Sequence, residues 1–393
     1  MLLRHVVIAT LAAAFVASCD KTPERVPPKD AAAMVNAVAE TAVMPDAEDA
    51  ADDPAIWVHP STPERSLVIG TNKQRGLVVY RLDGTEASKR DDGRMNNVDL
   101  RQNVTIGEFK ADLVAATNRT TKSISMYQFD GEAGTLTPLF SIPTGFADPY
   151  GLCMYRSATT GDVYVFANNA DDGIVAQWQI TAGSAGLEAA QVRSFAVGSQ
   201  AEGCVVDDEN GALFIAEEDV GLYAYWAEPE AAKTNKNARL IIDTVANGHL
   251  TADAEGVALY KGTSSNAGYL IVSSQGSYSY NVYDRVAPHA FRGAFQIAPT
   301  SAEIGIDGVE ETDGIDVTSS SLGGAYSEGL LVAQDGFNYE GIQDAGSRAH
   351  QNFKLVPWSA IREGLKLPEA AQAPAEVMPA EAVPAEATPA APN

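Results

Sequence analysis

The sequence predicts an all-β protein: a six-bladed β-propeller of four-stranded antiparallel blades. A short motif, made of a polar or acidic residue, a small residue and an apolar strand, occurs six times at nearly even spacing. Each motif is followed by a second apolar strand and, in most repeats, by a third strand with alternating apolar residues. Short strands repeated at this period, separated by Gly, Asp and Asn turns, are typical of radially arranged blades.

The six motifs begin 44 to 58 residues apart, near the length of one blade. They are DPAI at 53, NVDL at 97, YGLC at 150, EGCV at 202, EGVA at 255 and DGID at 313. A β-sandwich is the alternative, but it would not need six equal repeats. The segment NFKLVPW at 352–358 lies beyond the last motif, and we expect it to close the ring with the residues that open the first repeat.

The two ends of the chain differ in composition from the repeats. Residues 1–19 predict an export signal, because an apolar run too short to span a bilayer follows Arg4. The segment VASC resembles a bacterial lipobox, so we expect a lipid on Cys19 and a periplasmic or extracellular protein held at a membrane, with ordinary cleavage nearby as the alternative. Residues 20–45 predict a flexible tether and 368–393 a disordered Pro/Ala/Glu tail, which leaves 46–367 for the propeller.

Charge and cysteine content narrow the function. The chain has 27 Lys and Arg against 52 Asp and Glu, a net charge of −25, which excludes binding of nucleic acid through a basic surface. An anionic ligand would need cations between itself and this protein. Besides Cys19 only Cys153 and Cys204 occur, too few for a disulfide framework, and we expect them to be unpaired on buried strands, with pairing left open.

The first strand of each blade lines the central channel of a propeller, so the polar residues that begin the motifs should converge at one end. The acidic candidates gathered in this way are Asp52, Asp53, Asp99, Glu202, Glu217, Glu218, Asp219, Asp253, Glu255, Asp307, Asp313 and Asp335. Carboxylates a few ångströms apart repel by about 1 kcal/mol even in water, so bound cations are expected between them. Oxygen ligands of flexible geometry favour Ca²⁺ over Mg²⁺, and five His without ligand spacing argue against zinc.

Two basic residues stand out in this acidic set. Lys73 and Arg119 end the second strands of the first two repeats, in GTNK and ATNR. Beside a carboxylate cluster with bound cations they could hold phosphate groups, Arg119 through its forked guanidinium and Lys73 as a point charge.

Nine segments, in order over most of 46–362, resemble the successive motifs of β-propeller phytases. They include DDPAIWVHP, NNVDLR, PYGLCMYR, HLTADAEGVALY, SSQGSYSYNVYDR, LLVAQDG and QNFKLVPW. The resemblance implies a phosphomonoester hydrolase in which several Ca²⁺ ions at the channel mouth bind phytate (myo-inositol hexakisphosphate), free or as its calcium salt. It also implies that a calcium-bound water attacks phosphorus, and we expect the enzyme to be a monomer.

The resemblance assigns roles to individual residues. It implies metal ligands at Asp53, Tyr150, Glu202, Glu218, Asp253, Glu255, Asp307 and Asp335, with weaker assignments at Asp52, Asp313 and Asn338. It implies catalytic roles for Lys73, Arg119 and Glu218, and substrate contacts from Lys73, Arg119, Tyr150 and Gln275. Where relatives carry Lys after the second strand of the third repeat, this chain has Asp171, which puts one phosphate subsite in question.

Two other functions fit a propeller of this composition. A non-catalytic, calcium-stabilised propeller that serves as a binding platform could dispense with Lys73 and Arg119. A lactonase or esterase propeller with one channel metal would need few carboxylates at the mouth, contrary to the acidic set above. The sequence has no GxSxG motif or reactive Cys loop that would indicate a protein nucleophile.

Overall fold

The computed structural model describes residues 25–47, 49–234, 238–338 and 350–368. The predicted export signal, the lipidation site at Cys19 and the tail from residue 369 lie outside the described residues. The described part of the chain forms six β-sheets of four or five strands each. The predicted six-bladed, all-β propeller is confirmed.

Blades one to three each consist of four consecutive strands, after two short N-terminal strands. The N-terminal strands are β1 (Ala32–Val35) and β2 (Ala39–Glu40). Blade one has β3 (Ala51–Trp57), β4 (Leu67–Asn72), β5 (Gly76–Arg81) and β6 (Glu86–Arg90). Blade two has β7 (Met95–Ile106), β8 (Phe109–Asn118), β9 (Ser123–Asp130) and β10 (Thr135–Pro143). Blade three has β11 (Pro149–Arg156), β12 (Val163–Asn169), β13 (Ile174–Gly183) and β14 (Gly186–Ala196).

The remaining blades follow the same order, with two helices added. Blade four has β15 (Ala201–Asp207), β16 (Ala212–Glu217), β17 (Gly221–Trp226), the helix α1 (Pro229–Thr234) and β18 (Leu240–Thr244). Blade five has β19 (Ala254–Lys261), β20 (Gly268–Ser274), β21 (Ser279–Asp284) and β22 (Phe291–Ile297). Blade six has β23 (Ile315–Thr318), β24 (Leu330–Asp335) and β25 (Asn352–Pro357), and the helix α2 (Trp358–Leu365) follows it.

The core lies between blades, because each sheet buries both faces against its neighbours. Between blades one and two, Ile69 and Val79 pack with Val114 and Tyr127, all nearly inaccessible to solvent. Burying one such side chain contributes about 1.5–3 kcal/mol. This explains why the second strands are almost continuously apolar rather than alternating.

The N-terminal strands complete two blades, which corrects the predicted tether at 20–45. Strand β2 pairs antiparallel with β25 (Ala39 opposite Leu355) and so supplies the fourth strand of blade six. Strand β1 pairs in parallel with β22 as a fifth strand of blade five. The propeller therefore begins at residue 32 rather than 46. The tether prediction was wrong here because such short strands gain their stability from a remote partner and not from a local pattern.

A disulfide joins Cys153 of β11 to Cys204 of β15, with the Cα atoms 5.7 Å apart. The two cysteines lie on strands as expected, but the expectation that they are unpaired was wrong. They are 51 residues apart in sequence. Only the side-by-side arrangement of the innermost strands of blades three and four brings them into bonding distance.

The six innermost strands, β3, β7, β11, β15, β19 and β23, contact one another in this order and close from β23 to β3. They enclose a channel with a cavity of 530 Å³. In the part of the chain that the structure describes, no helix has the length and apolar character needed to cross a membrane.

Candidate active site

Five innermost strands share one irregularity at the same position. Regular pairing with the second strand stops after the first residue and resumes three residues later, as between Ala201 and Cys204 of β15. The residues inside these interruptions are Asp52–Asp53, Asn96–Asn97, Tyr150–Gly151, Glu202–Gly203 and Glu255–Gly256. A bulge turns side chains out of the alternating pattern of a strand. The repeat motif of the sequence is therefore a bulge that presents polar side chains at the channel mouth.

The motif has a small residue because the backbones of neighbouring bulges approach each other closely. A Cβ atom on Gly203 would lie 2.2 Å from the carbonyl oxygen of Glu255, and one on Gly151 would lie 1.9 Å from that of Glu202. No side chain fits at such distances. The backbone contact between adjacent blades is what brings acids of successive repeats together.

Three carboxylates form the centre of the site. One oxygen from each of Glu202, Glu218 and Glu255 lies within 4.8 Å of the other two. Glu218 Oε1 and Glu255 Oε2 are buried and accept no hydrogen bond from any residue that the structure describes. Burial, followed by the charge of Glu202, raises the pKa of Glu218 to about 8 and that of Glu255 well above its usual value. Buried, unpartnered carboxylate oxygens at this spacing are a donor set that a hard cation fits.

Asp52, Asp53 and Tyr150 surround this centre. Asp52 is fully buried, and neither of its carboxylate oxygens accepts a hydrogen bond from an N–H or O–H donor of the described residues. Asp53 Oδ2 accepts one from the Val98 amide at 3.0 Å. Burial, and the charge of Glu202, raise the pKa of both aspartates. Burial and then the charges of the three glutamates raise the pKa of Tyr150, so its phenol keeps its proton.

Lys73 is held by carboxylates on one side of the centre. Its Nζ lies 2.7 Å from Asp313 Oδ2, 2.9 Å from Asp49 Oδ1 and 3.5 Å from Asp52 Oδ2. Burial acts to lower the pKa of Lys73, but these carboxylates outweigh burial and raise it well above its usual value. Lys73 therefore carries its positive charge, and these three carboxylates neutralise it.

Arg119 is held on the other side. Its Nε donates to Asp148 Oδ1 at 2.8 Å, Nη2 pairs with Asp148 Oδ2, and Nη1 donates to Asn96 Oδ1 at 3.0 Å. The Asn96 amide in turn donates to Glu202 Oε1, so Asn96 links the guanidinium to the carboxylate centre. Sequence reasoning missed both Asp148 and Asn96. The signal for Asn96 was its place beside the second motif, whereas Asp148 had none.

Asp307 and Asp335 form a second group around a buried lysine. Lys354 Nζ lies 2.5 Å from Asp307 Oδ1, 3.1 Å from Asp335 Oδ2 and 2.5 Å from Glu40 Oε2, and it donates to Asn338 Oδ1 at 2.8 Å. Burial raises the pKa of Asp335 to about 7, although the charge of Lys354 acts to lower it. The structure thus brings these predicted ligands together, with a cation of the protein among them.

A polar cavity of 340 Å³ adjoins the centre. Its wall includes Lys73, Asp253, Gln275 and Asp313. Burial, then the charges of Asp219 and Asp313, raise the pKa of Asp253. Gln275 Nε2 donates to Asp313 Oδ1 at 2.6 Å, which fixes one N–H of its amide to the protein.

Two acidic candidates lie outside the site. Asp99 pairs with Arg101 and accepts a hydrogen bond from the Met154 amide. Glu217 pairs with Arg239 and accepts a hydrogen bond from Ser199. Both predictions were wrong for the same reason: alternate residues of a strand face different neighbours, and the sequence does not tell which acid the bulge exposes. Asp171 is exposed in the turn after β12.

These features define a class of protein: a six-bladed propeller whose channel mouth combines a buried carboxylate centre with two flanking cations. Comparison with known proteins identifies the family. A family model described as Phytase matches residues 4–380. The 3-phytase of Bacillus subtilis (strain 168) is 41% identical over 338 residues, which cover 84% of this chain and 85% of that protein. The chain belongs to the phytase family, as the sequence motifs predicted.

Solved structures resemble it more distantly. Sqt1 from Chaetomium thermophilum is 13% identical, with a TM-score of 0.46 over 83% of this chain and 91% of that one. A luciferin-regenerating enzyme is 8% identical, with a TM-score of 0.46 over 79% of this chain and 92% of that one. At this level of similarity neither structure informs function.

Proposed function

We propose that this phytase is a calcium-dependent phosphomonoesterase that releases inorganic phosphate from phytate. The observation that carries the proposal is the centre formed by Glu202, Glu218 and Glu255, with buried unpartnered oxygens, between Lys73 and Arg119. Membership of the phytase family supports phytate as the substrate. A non-catalytic binding platform, the alternative function, would not need Lys73 and Arg119 held by carboxylates beside the centre.

Several residues would hold the ions. The three glutamates offer the closest set of oxygens, with Asp52, Asp53, Tyr150 and Asp253 around them. Asp307 and Asp335 would form a separate site in which an ion shares the carboxylates with Lys354, so that the fit there is weaker. The chemistry that calcium supplies when bound is neutralisation of phosphate charge, polarisation of phosphoryl oxygens and activation of an attacking water.

The residues of the chain orient the substrate. Arg119 can turn its forked N–H groups from Asp148 to a phosphate, because the two carboxylate contacts are exchanged for two phosphate contacts. Lys73 offers a point charge fixed by Asp313 and Asp49. Tyr150 keeps its phenolic proton and can donate it in a hydrogen bond to a phosphoryl oxygen. Since the charges of Lys73 and Arg119 are neutralised by neighbouring acids, the protein alone has little attraction for phytate, and calcium would supply the positive charge that binds it.

Phosphate release from phytate tests the proposal directly. We expect release with calcium, loss of release in EGTA and recovery when calcium is restored. Glu218→Gln should lower the rate at least a hundredfold and weaken calcium binding by calorimetry. Glu108→Gln, the same change in an exposed turn between β7 and β8, is the control and should have no effect. An unchanged rate in chelator would exclude calcium, and phytate binding without phosphate release would favour the binding platform.

We further propose that the protein is exported and carries a lipid on Cys19, on the basis of the signal-like composition of residues 1–19. Cys19→Ala should move the protein from the detergent phase to the aqueous phase in a detergent partition experiment. Partition of the unaltered protein into water would contradict lipidation.

A further inference from the structure

We propose that Asn96 is a positioning residue for phosphate removal: it ties Arg119 to the carboxylate centre, so that the guanidinium stays directed at the centre when it exchanges Asp148 for a phosphate. This inference rests on the proposed function, because it assumes that Arg119 binds the phosphate that is removed. Asn96 lies in the bulge of β7, the innermost strand of blade two.

The bulge of blade two carries an amide where three other blades carry an acid. The equivalent bulge positions hold Asp52 in blade one, Glu202 in blade four and Glu255 in blade five. An ionised carboxylate only accepts hydrogen bonds, whereas an amide both donates and accepts. Asn96 can therefore bind an acid and a cation at the same time, which an ionised acid at this position could not do.

The Asn96 amide is bound in both directions. Its Oδ1 accepts from Arg119 Nη1 at 3.0 Å, and its Nδ2 donates to Glu202 Oε1. The side chain is fully buried, and because a guanidinium can only donate, the amide oxygen must face Arg119. A carboxylate oxygen has two lone pairs, so Glu202 Oε1 can bind a cation while it accepts from Asn96.

Arg119 has two kinds of contact. Its Nε and Nη2 are paired with Asp148, and both side chains are partly exposed, so a phosphate from solvent can reach them. Its Nη1 is bound to buried Asn96, and its guanidinium carbon lies 5.5 Å from the centre of the Tyr150 ring. Exchange of Asp148 for a phosphate leaves the contacts with Asn96 and Tyr150 in place. Without Asn96, the long side chain of Arg119 would gain rotamers, and fixing it on the phosphate would cost entropy.

A double-mutant cycle tests whether Asn96 acts through Arg119. Asn96→Leu removes both hydrogen bonds with little change in volume, and it should lower kcat/KM for phytate at least tenfold, the effect of losing a hydrogen bond to a charged group. In an Arg119→Gln background the same change should cost less than about twofold, because the contact that it removes is already lost. If the rate of Arg119→Gln is too low to measure, the affinity for inorganic phosphate, from calorimetry, takes the place of kcat/KM. Asn281→Leu is the control: this asparagine is buried on β21 and bonded to Tyr283, so its loss should lower stability and leave the rate unchanged.

Thermal denaturation tests the link to the carboxylate centre without turnover. Asn96→Asp is nearly isosteric, but it places a further carboxylate beside Glu202. Repulsion should then lower the melting temperature in EGTA, and calcium should bind more tightly to the enlarged cluster. The rise in melting temperature on addition of calcium should therefore be larger for Asn96→Asp than for the unaltered protein, whereas for Asn96→Leu it should not be larger.

The outcomes separate this inference from the proposed function. An unaltered enzyme that releases no phosphate from phytate would contradict the proposed function. An active enzyme in which Asn96→Leu keeps its rate, or loses as much in the Arg119→Gln background as alone, would overturn the role of Asn96. An equal calcium-induced rise for Asn96→Asp and the unaltered protein would show that Asn96 is not coupled to the centre, and would overturn it as well. A loss of rate with Asn281→Leu as large as that with Asn96→Leu would reduce the effect to stability and also overturn it.

Discussion

Gln275 and Asp313 are joined by a side-chain hydrogen bond in which Nε2 donates to Oδ1 at 2.6 Å. The other carboxylate oxygen of Asp313 lies 2.7 Å from Lys73 Nζ. Gln275 therefore acts on Lys73 through Asp313. This contact suggests a positioning role for Gln275, while its predicted contact with the substrate stays a prediction.

A double-mutant cycle distinguishes these two roles. We expect Gln275→Leu and Asp313→Asn each to lower kcat/KM for phytate about tenfold, because each releases Lys73 from its fixed position. Since both act through the same contact, the double variant should lose much less than the product of the two effects. Fully additive losses would show that Gln275 contacts the substrate independently of Asp313.

The pH dependence of stability should reveal the carboxylate centre. Without calcium the pKa of Glu218 is raised to about 8, from an ordinary 4.5. The folded state then binds a proton more strongly than the unfolded state between pH 4.5 and 8, so stability falls as pH rises through that window and levels off above it.

Thermal denaturation in EGTA at pH 5, 6, 7 and 8 would measure this fall. Glu218→Gln should make the fall smaller without abolishing it, because the raised pKa values of Glu255, Asp52, Asp53 and Asp335 act in the same direction. Saturating calcium should remove most of the slope because the ion binds the deprotonated form. Carboxylates with a lowered pKa, such as Asp92, contribute only below about pH 4 and do not obscure the window. A melting temperature in EGTA that rises with pH would contradict the raised pKa.

Lys354→Met should destabilise the protein by about 3–5 kcal/mol, because it leaves buried carboxylates without their cation. Lys354 is fully buried, among Glu40, Asp307 and Asp335. Urea denaturation would measure the loss, with Lys89→Met, at an exposed lysine, as the control. Added calcium should restore part of the stability if Asp307 and Asp335 bind the ion. No restoration would remove these two residues from the proposed ligand set.

Removal of the disulfide should lower stability without abolishing activity. A bond that closes 51 residues stabilises by about 4 kcal/mol in the chain-entropy model. The variant with both Cys153→Ala and Cys204→Ala should therefore melt at a lower temperature, as should the unaltered protein in reductant. Reductant should not affect the double variant. Equal melting temperatures for the oxidised protein and the double variant would show that the bond contributes nothing.

The fold and most of the carboxylate centre could be predicted because each of the six sequence repeats forms the same local structure. Glu202 and Glu255 stand at equivalent bulges, so periodicity alone identified them as neighbours. In a propeller, residues at equivalent positions of successive repeats lie next to one another around the channel. Family membership then strengthened the assignment of Glu218, which follows the second strand of blade four.

The remaining contacts of the site could not be predicted, because they join elements that no local sequence pattern relates to each other. The pairing of Arg119 with Asp148 and the position of Lys354 among three acids arise between elements far apart in sequence. Asp99 failed as a candidate because register, not composition, decides which side of a strand faces the mouth.

The joining of β2 to β25 makes the two ends of the propeller depend on each other. Residues 39–40 pair with residues 354–355, so blade six cannot be completed until nearly the whole chain is available. A contact over such a separation is slow to form. A chain shortened beyond residue 40 would leave the backbone of β25 without its outer neighbour, and an unpaired strand edge recruits another chain. Loss of the N-terminal residues through Glu40 would then show itself as self-association before it altered the chemistry at the mouth.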